Sequence, residues 1–318
     1  MSLSAVDAKA MDNGLSNVFS PALILSVGGG KGGVGKSTVA AGVAGLMAAS
    51  GKRVILVDAD LGGANLHLFV GVRYPEKNLN DFLAGRITDL RETLITTRIP
   101  GVQLISGVNG IHESTNLRHL QKQKLLAAFK SLEADVVIID VGAGADEDNT
   151  DFHSLSENGI IVITNEPTSV ENAYSFLKNS VIRLLLREFA LNDAVKALIE
   201  EGVSPRRGDF IPLGRIIEGI MAADNKAGKR AQEVLMSHHP RLIVNMVKRP
   251  SDVSVKDSFT KIVKRFLDID MVYVGYVVYD ETVSRSVKQI IPITEYPDAP
   301  SVDCLRAISK NLISLEGR

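Results

Sequence analysis

Leu25-Ser26-Val27-Gly28-Gly29-Gly30-Lys31-Gly32-Gly33-Val34-Gly35-Lys36-Ser37-Thr38 is the stretch on which the reading of this chain turns. It starts in an apolar run (residues 22–27), crosses a glycine-rich turn and enters an alanine-rich, helical segment (residues 36–50). The pattern G-x-x-x-x-G-K-[ST] between a strand and a helix is a phosphate-binding loop. Its glycines let the backbone curl so that successive N–H groups face phosphate oxygens, and the helix beginning near Lys36 adds the positive end of its dipole. Lys36 is placed to reach the β- and γ-phosphates of MgATP, Ser37 to coordinate Mg²⁺, and Thr38 to donate to the α-phosphate. Gly30, Lys31, Gly32, Gly33, Val34 and Gly35 complete the cradle. Lys31 is a second lysine in the loop, and the residues alone leave two readings of it. It is a tolerated exposed residue, or a cation placed for a phosphate within reach.

Working outward, apolar β-type runs alternate with helical stretches. Strands are predicted at 22–27, 53–58, 102–106, 135–140, 159–164, 241–247 and 271–278, and helices at 36–50, 117–132, 169–189, 252–267 and 301–315. Several strands are continuous Val/Ile/Leu runs, as expected where both faces of a sheet are covered. The alternation predicts an α/β fold: a doubly wound, mostly parallel sheet with right-handed crossovers and flanking helices. One domain (21–318) is expected, preceded by a polar leader (1–20). Residues 191–240, which include Ser204-Pro205-Arg206-Arg207-Gly208, read as a helical insertion.

Composition narrows the functional classes. The chain has 318 residues, 45% of them hydrophobic, which is ample for a large core. A net charge of −1 gives no overall footprint for nucleic acid or an anionic membrane. The single cysteine, Cys304, excludes an internal disulfide and a cysteine-built cluster within one subunit, which fits a reducing cytoplasm. No apolar run reaches the ~20 residues that span a bilayer, and the N-terminus lacks the features of a signal peptide.

Two further strand ends carry carboxylates. Val57-Asp58-Ala59-Asp60-Leu61-Gly62 puts Asp58 and Asp60 on one side by the two-residue strand period. One of them can serve Mg²⁺ while the other orients attacking water. Val136-Val137-Ile138-Ile139-Asp140-Val141-Gly142-Ala143-Gly144 ends in Asp140, the usual acidic partner of such a loop, followed by glycines that permit a switch.

Together these segments resemble the deviant Walker A ATPases of the MinD/ParA/FlhG group, and FlhG and MinD-type proteins most. The resemblance extends through Asn65, Asn165-Glu166-Pro167-Thr168-Ser169-Val170 and the edge segments Val244-Asn245-Met246-Val247 and Val274-Gly275-Tyr276-Val277. It implies that Lys31 crosses a dimer interface to phosphates bound by the other subunit, so that ATP is sandwiched in a homodimer. It also implies that Asp60 positions the attacking water, that Asp58 and Asp140 join Ser37 in the Mg²⁺ and switch network, and that Asn245 contacts adenine. The function implied is an ATP-hydrolysing dimerisation switch, slow and stimulated by assembly or by a protein partner. It would act in the placement or number of a cellular structure: flagella first, then division site or DNA partition.

The chain departs from that pattern in four places. Its C-terminus has apolar positions on one helical face but no Lys/Arg cluster or aromatic anchor, so a core-packing helix is expected rather than a membrane anchor. The leader shows no activator motif, His67 replaces an acidic residue, and the 191–240 insertion is additional. Arg206-Arg207 and Lys229-Arg230 are weak evidence for nucleic acid; Lys122, Lys124 and Lys130 read as a solvated helix face; and His238-His239 has no zinc spacing. Iron–sulfur relatives with the same loop need cysteines that the chain lacks. An ATP-dependent ligase or amidotransferase, and a non-hydrolysing nucleotide-bound scaffold, are the alternatives carried forward.

Overall fold

The computed structural model describes residues 22–107, 119–203 and 212–316. The 1–20 leader and Arg206-Arg207 lie outside the described residues. In chain order the elements are β1 (Leu23–Gly28), α1 (Lys36–Ala49), β2 (Val54–Ala59), α2 (Leu66–Phe69), α3 (Leu79–Leu83), β3 (Ile95–Thr96), β4 (Val102–Ile105), α4 (His119–Lys130), β5 (Val136–Val141), α5 (Glu147–His153), β6 (Ile160–Ile163) and α6 (Pro167–Glu188). There follow α7 (Asp193–Val203), α8 (Leu213–Ala223), α9 (Asn225–Ser237), β7 (Arg241–Val247), α10 (Val255–Leu267), β8 (Val272–Val278), α11 (Glu281–Gln289) and α12 (Pro300–Glu316).

The strands form one sheet in the order β3-β4-β2-β5-β1-β6-β7-β8, parallel except where β3 runs against β4 at the edge. All seven predicted strands are present within two residues of their expected ends. β1 pairs with β5 on one side and β6 on the other, β2 lies beyond β5, and the loops after the parallel strands β1, β2 and β5 share the carboxyl edge near the switch in strand order.

The continuous apolar runs are explained by two cores, one on each face. Along β2 and β5, Ile55, Val57, Val137 and Ile139 enter one core, while Val54, Leu56, Val136 and Ile138 enter the other. This is the two-residue alternation of a strand with no wet face. The first core is closed by Phe129 of α4, Phe152 of α5, Phe176 and Leu185 of α6 and Phe259 of α10. The insertion belongs to it: Ile199 of α7, Ile220 of α8 and Leu235 of α9 are buried there, so these helices thicken one layer and do not form a separate lobe. The second core is closed by Val39, Val43 and Met47 of α1 and by Val302, Leu305, Ile308 and Leu312 of α12. The last helix therefore packs on the core, as its missing basic cluster suggested. Gly42 lets α12 approach closely, since a Cβ there would stand 2.6 Å from Leu305 Cδ1.

One expectation fails. Lys122 is buried and lies 3.1 Å from Asp148 and 2.8 Å from Asp151, rather than on a solvated face. The reason is α5, a seven-residue helix too short and too acidic to be foreseen, whose carboxylates meet α4 side-on. Lys124 and Lys130 are both exposed as expected, Lys124 also donating to the Phe82 carbonyl at 3.2 Å and covering the Phe82 ring. Among the described residues no helix is long and apolar enough to cross a membrane.

Candidate functional site

The loop between β1 and α1 curls as its glycines allow. Gly35 adopts φ 90° immediately before α1, and a side chain there would collide with the Asn245 amide, 2.1 Å from the position of its Cβ. Around this loop lies a cavity of about 470 Å³, lined by Gly32, Gly33, Gly35, Lys36, Ser37, Thr38, Asp58, Asp60, Asn65, Val141 and Ala143 among others. Three strand ends thus converge, as parallel neighbours at one sheet edge must.

The two loop lysines behave differently. Lys36 is buried on the pocket wall, its Nζ 3.3 Å from the Lys31 carbonyl, and burial lowers its pKa against the opposing pull of Asp140 and Asp60. The Lys31 side chain turns away from Lys36, to Glu166 Oε2 at 2.7 Å and Thr168 Oγ1 at 2.9 Å, and stays one-third exposed. The loop therefore presents one cation to its own pocket and another at the surface.

Asp58 is almost fully buried and accepts the backbone N–H groups of Asp60 at 3.1 Å and Leu66 at 3.0 Å. Burial, and secondly Asp140, push its pKa up to about 8. Asp140, equally buried, is pushed up to about 7 by desolvation, against the Ser37 hydroxyl and the Lys36 charge. Its Oδ1 has no partner. Two carboxyls whose ionisation burial opposes, one with an orphaned oxygen, next to a serine hydroxyl, form an oxygen donor set suited to a hard divalent cation. Ser37, Asp58 and Asp140 therefore fit Mg²⁺. Asp60 sits further out, fixed by the Gly62 and Gly63 N–H groups at 3.2 and 2.8 Å.

Asn245 does not line the pocket: its Nδ2 donates to the Val34 carbonyl at 2.7 Å, tying β7 to the phosphate loop. The next residue belongs to the same edge segment, and the sequence assigned it no separate role. Met246 has φ 57° where the β7–β8 register breaks, and it lines the pocket with Leu68, Phe69 and Val287. Nothing local marked Leu68, Phe69 and Val287, because α2 is one turn long and α11 was not anticipated. His238 is buried and neutral, its pKa lowered to about 4 chiefly by desolvation, and among the described residues no His/Cys/Asp/Glu cluster of metal-binding size occurs.

Comparison with known proteins agrees with this geometry. Residues 25–293 match the model of the CobQ/CobB/MinD/ParA nucleotide binding domain. Antiactivator FleN of Pseudomonas aeruginosa is 27% identical over 298 residues, spanning 92% of this chain and 87% of FleN. Flagellum site-determining protein YlxH of Helicobacter pylori is 32% identical over 159 residues, 48% of this chain and 52% of YlxH. The cell division ATPase MinD of Pyrococcus furiosus shares the fold with a TM-score of 0.62 over 92% of this chain and 99% of its own, at 20% identity. A phosphate loop facing two carboxylate strand ends, on a sheet of this order and with that match over most of its length, places the chain in the CobQ/CobB/MinD/ParA nucleotide-binding domain family.

Proposed function

We propose that this protein binds MgATP in the cavity at the carboxyl edge of the sheet and hydrolyses it, and that the nucleotide state controls its dimerisation. Lys36 neutralises the phosphates, and the loop N–H groups orient them. Ser37, Asp58 and Asp140 would hold Mg²⁺, which when bound neutralises phosphate charge. Asp60, half-buried in the pocket lining and fixed by two backbone donors, orients the attacking water. The observation that carries the dimer reading is the outward Lys31. Its ammonium lies on the surface with a replaceable exposed partner, Glu166, and is free to exchange it for phosphate on a second copy. An exposed ion pair contributes about 0–1 kcal/mol, so that exchange costs little. Hydrolysis that needs the second subunit's lysine is slow in the monomer and stimulated by assembly.

The process we favour is flagellar placement or number, supported by FleN, named an antiactivator, and YlxH, named for flagellum site determination. Division-site selection and DNA partition come next. A protein partner reads or stimulates the switch.

Light scattering after size exclusion tests the switch on wild type, Lys31→Ala and Asp60→Ala, each with MgADP and with MgATP. Asp60→Ala is expected to form a dimer with MgATP alone, and Lys31→Ala to stay monomeric with both. One unchanged oligomeric state across all six samples overturns the dimer switch and favours a nucleotide-bound scaffold.

A further inference from the structure

The pocket wall runs from Val141 at the end of β5 to Ala143 in a loop with no bulky side chain to hold it, Gly142-Ala143-Gly144-Ala145-Asp146. Its shape is imposed from outside. The Gly144 N–H donates to the Gly30 carbonyl at 3.0 Å, and the Asn179 amide donates to the Ala145 carbonyl at 3.1 Å. Asn149 makes the most contacts: Nδ2 donates to the Ala143 carbonyl at 3.0 Å and to Asp146 Oδ2 at 2.6 Å, and its backbone N–H donates to Asp146 Oδ1 at 3.0 Å. A Cβ on Gly142 would lie 2.8 Å from Asn149 Oδ1 and 3.3 Å from Asp60 Cγ. Gly142 is therefore held between Asn149 and the residue that orients water.

The helix carrying Asn149 is itself fixed. One residue before it, Asp148 pairs with Lys122 of α4 at 3.1 Å. Two residues after it, Asp151 accepts two bonds from Arg183 of α6 at 3.0 and 2.9 Å and pairs with Lys122 at 2.8 Å. Asn149 is buried between these anchors, so its amide is delivered to the loop from a helix that cannot rotate.

We infer that Asn149 is a positioning residue for hydrolysis: it fixes Gly142 and Ala143 so that the end of the pocket lined by Asp60, Val141 and Ala143 keeps one shape. Without its amide a loop with two glycines samples many shapes, and a displacement of about 1 Å at a reacting centre can cost up to about 100-fold in rate. The remainder of the pocket is built on the phosphate loop and α1, to which the Asn149 amide itself makes no hydrogen bond; the loop it shapes meets them through the Gly144–Gly30 bond. The inference rests on the ATPase reading above.

The test uses the full chain with Asn149→Ala and the isosteric Asn149→Asp, measuring kcat and KM for ATP, Kd for MgADP and thermal melting. Both variants are expected to lose about 10- to 100-fold in kcat while MgADP affinity stays within about twofold. Asn149→Asp keeps the shape but sets an acceptor against the Ala143 carbonyl and the Asp146 carboxylate, so it does not rescue. Asn149→Asp serves as the readout should Asn149→Ala fail to fold. Wild-type kcat in Asn149→Asp overturns the inference, and so does a loss of MgADP affinity in step with kcat. An inactive wild type that still binds MgADP would instead remove the ATPase reading.

Discussion

Two buried charge clusters lie at different places on this fold, and they solve the same physical problem in opposite ways. Behind the switch loop, Lys122, Asp148, Asp151 and Arg183 are mutually paired. Burial would push the Asp151 carboxyl up, but Arg183 and Lys122 outweigh it and hold it below the usual range. Burial likewise opposes the Lys122 charge, and Asp151 and Asp148 raise its pKa in spite of it. At the phosphate pocket, burial wins. Asp58 and Asp140 are raised, Lys36 is lowered, and one Asp140 oxygen has no partner. A cluster that balances its own charges is a structural tie, whereas one left unbalanced by the protein is built for a ligand that carries the missing charges.

Removing one partner from each cluster gives the sharpest contrast. Asp151→Asn takes from Lys122 and Arg183 their shortest carboxylate partner, leaving Asp148 at 3.1 Å and Glu147 at 3.4 Å, and is expected to cost about 3 kcal/mol in urea unfolding. Asp58→Asn in the ligand-free protein is expected to stabilise. A carboxyl whose pKa rises to about 8 on folding contributes stability below its unfolded pKa and loses it as pH rises through the folded value. The gain from Asp58→Asn should therefore be visible at pH 8 and absent at pH 4. Equal destabilisation by both substitutions at pH 8 would erase the distinction.

The pocket's dependence on a ligand can be read next. Lys36→Ala is expected to weaken MgATP binding at least about 100-fold, about 2.7 kcal/mol, in titration calorimetry. Unchanged affinity would mean that the inward lysine is not the phosphate contact. The smallest effect is a proton count. With Asp58 near 8 and Asp140 near 7 in the free site, Asp58 is mostly protonated at pH 7 and Asp140 about half so. Binding of MgADP should drive off about one proton, seen as a dependence of the calorimetric heat on buffer ionisation enthalpy. The release should vanish above about pH 9, where both carboxyls are already ionised, and shrink in Asp58→Asn.

The two clusters were not equally legible in the sequence. Gly35, Lys36, Ser37, Asp58, Asp60 and Asp140 stand at the ends of strands whose apolar runs announce them, so motif and period together located the pocket. Lys122, Asp148, Asp151, Arg183 and Asn149 carry no such mark. Their side chains meet across three helices, and α5, which joins them, is only seven residues long. Met246 was quoted in an edge motif, yet its turn into the pocket depends on a positive φ at a register break. Asn245 was expected near the nucleotide, and its amide is found on the Val34 carbonyl.

What the sequence determined by itself was local or periodic: the parallel sheet, its two covered faces, the phosphate loop and the acidic strand ends. Each follows from residues adjacent in the chain or two apart, where backbone geometry alone fixes the relation. Tertiary structure decided which cation faces inward and which outward, which buried charges are compensated, and which amide holds the switch loop. Those depend on distances between segments far apart in the chain, as in the 2.7 Å from Lys31 to Glu166 and the 3.1 Å from Lys122 to Asp148. Burial then sets the sign of each electrostatic effect, and burial is a property of the packed molecule, not of any stretch of its sequence.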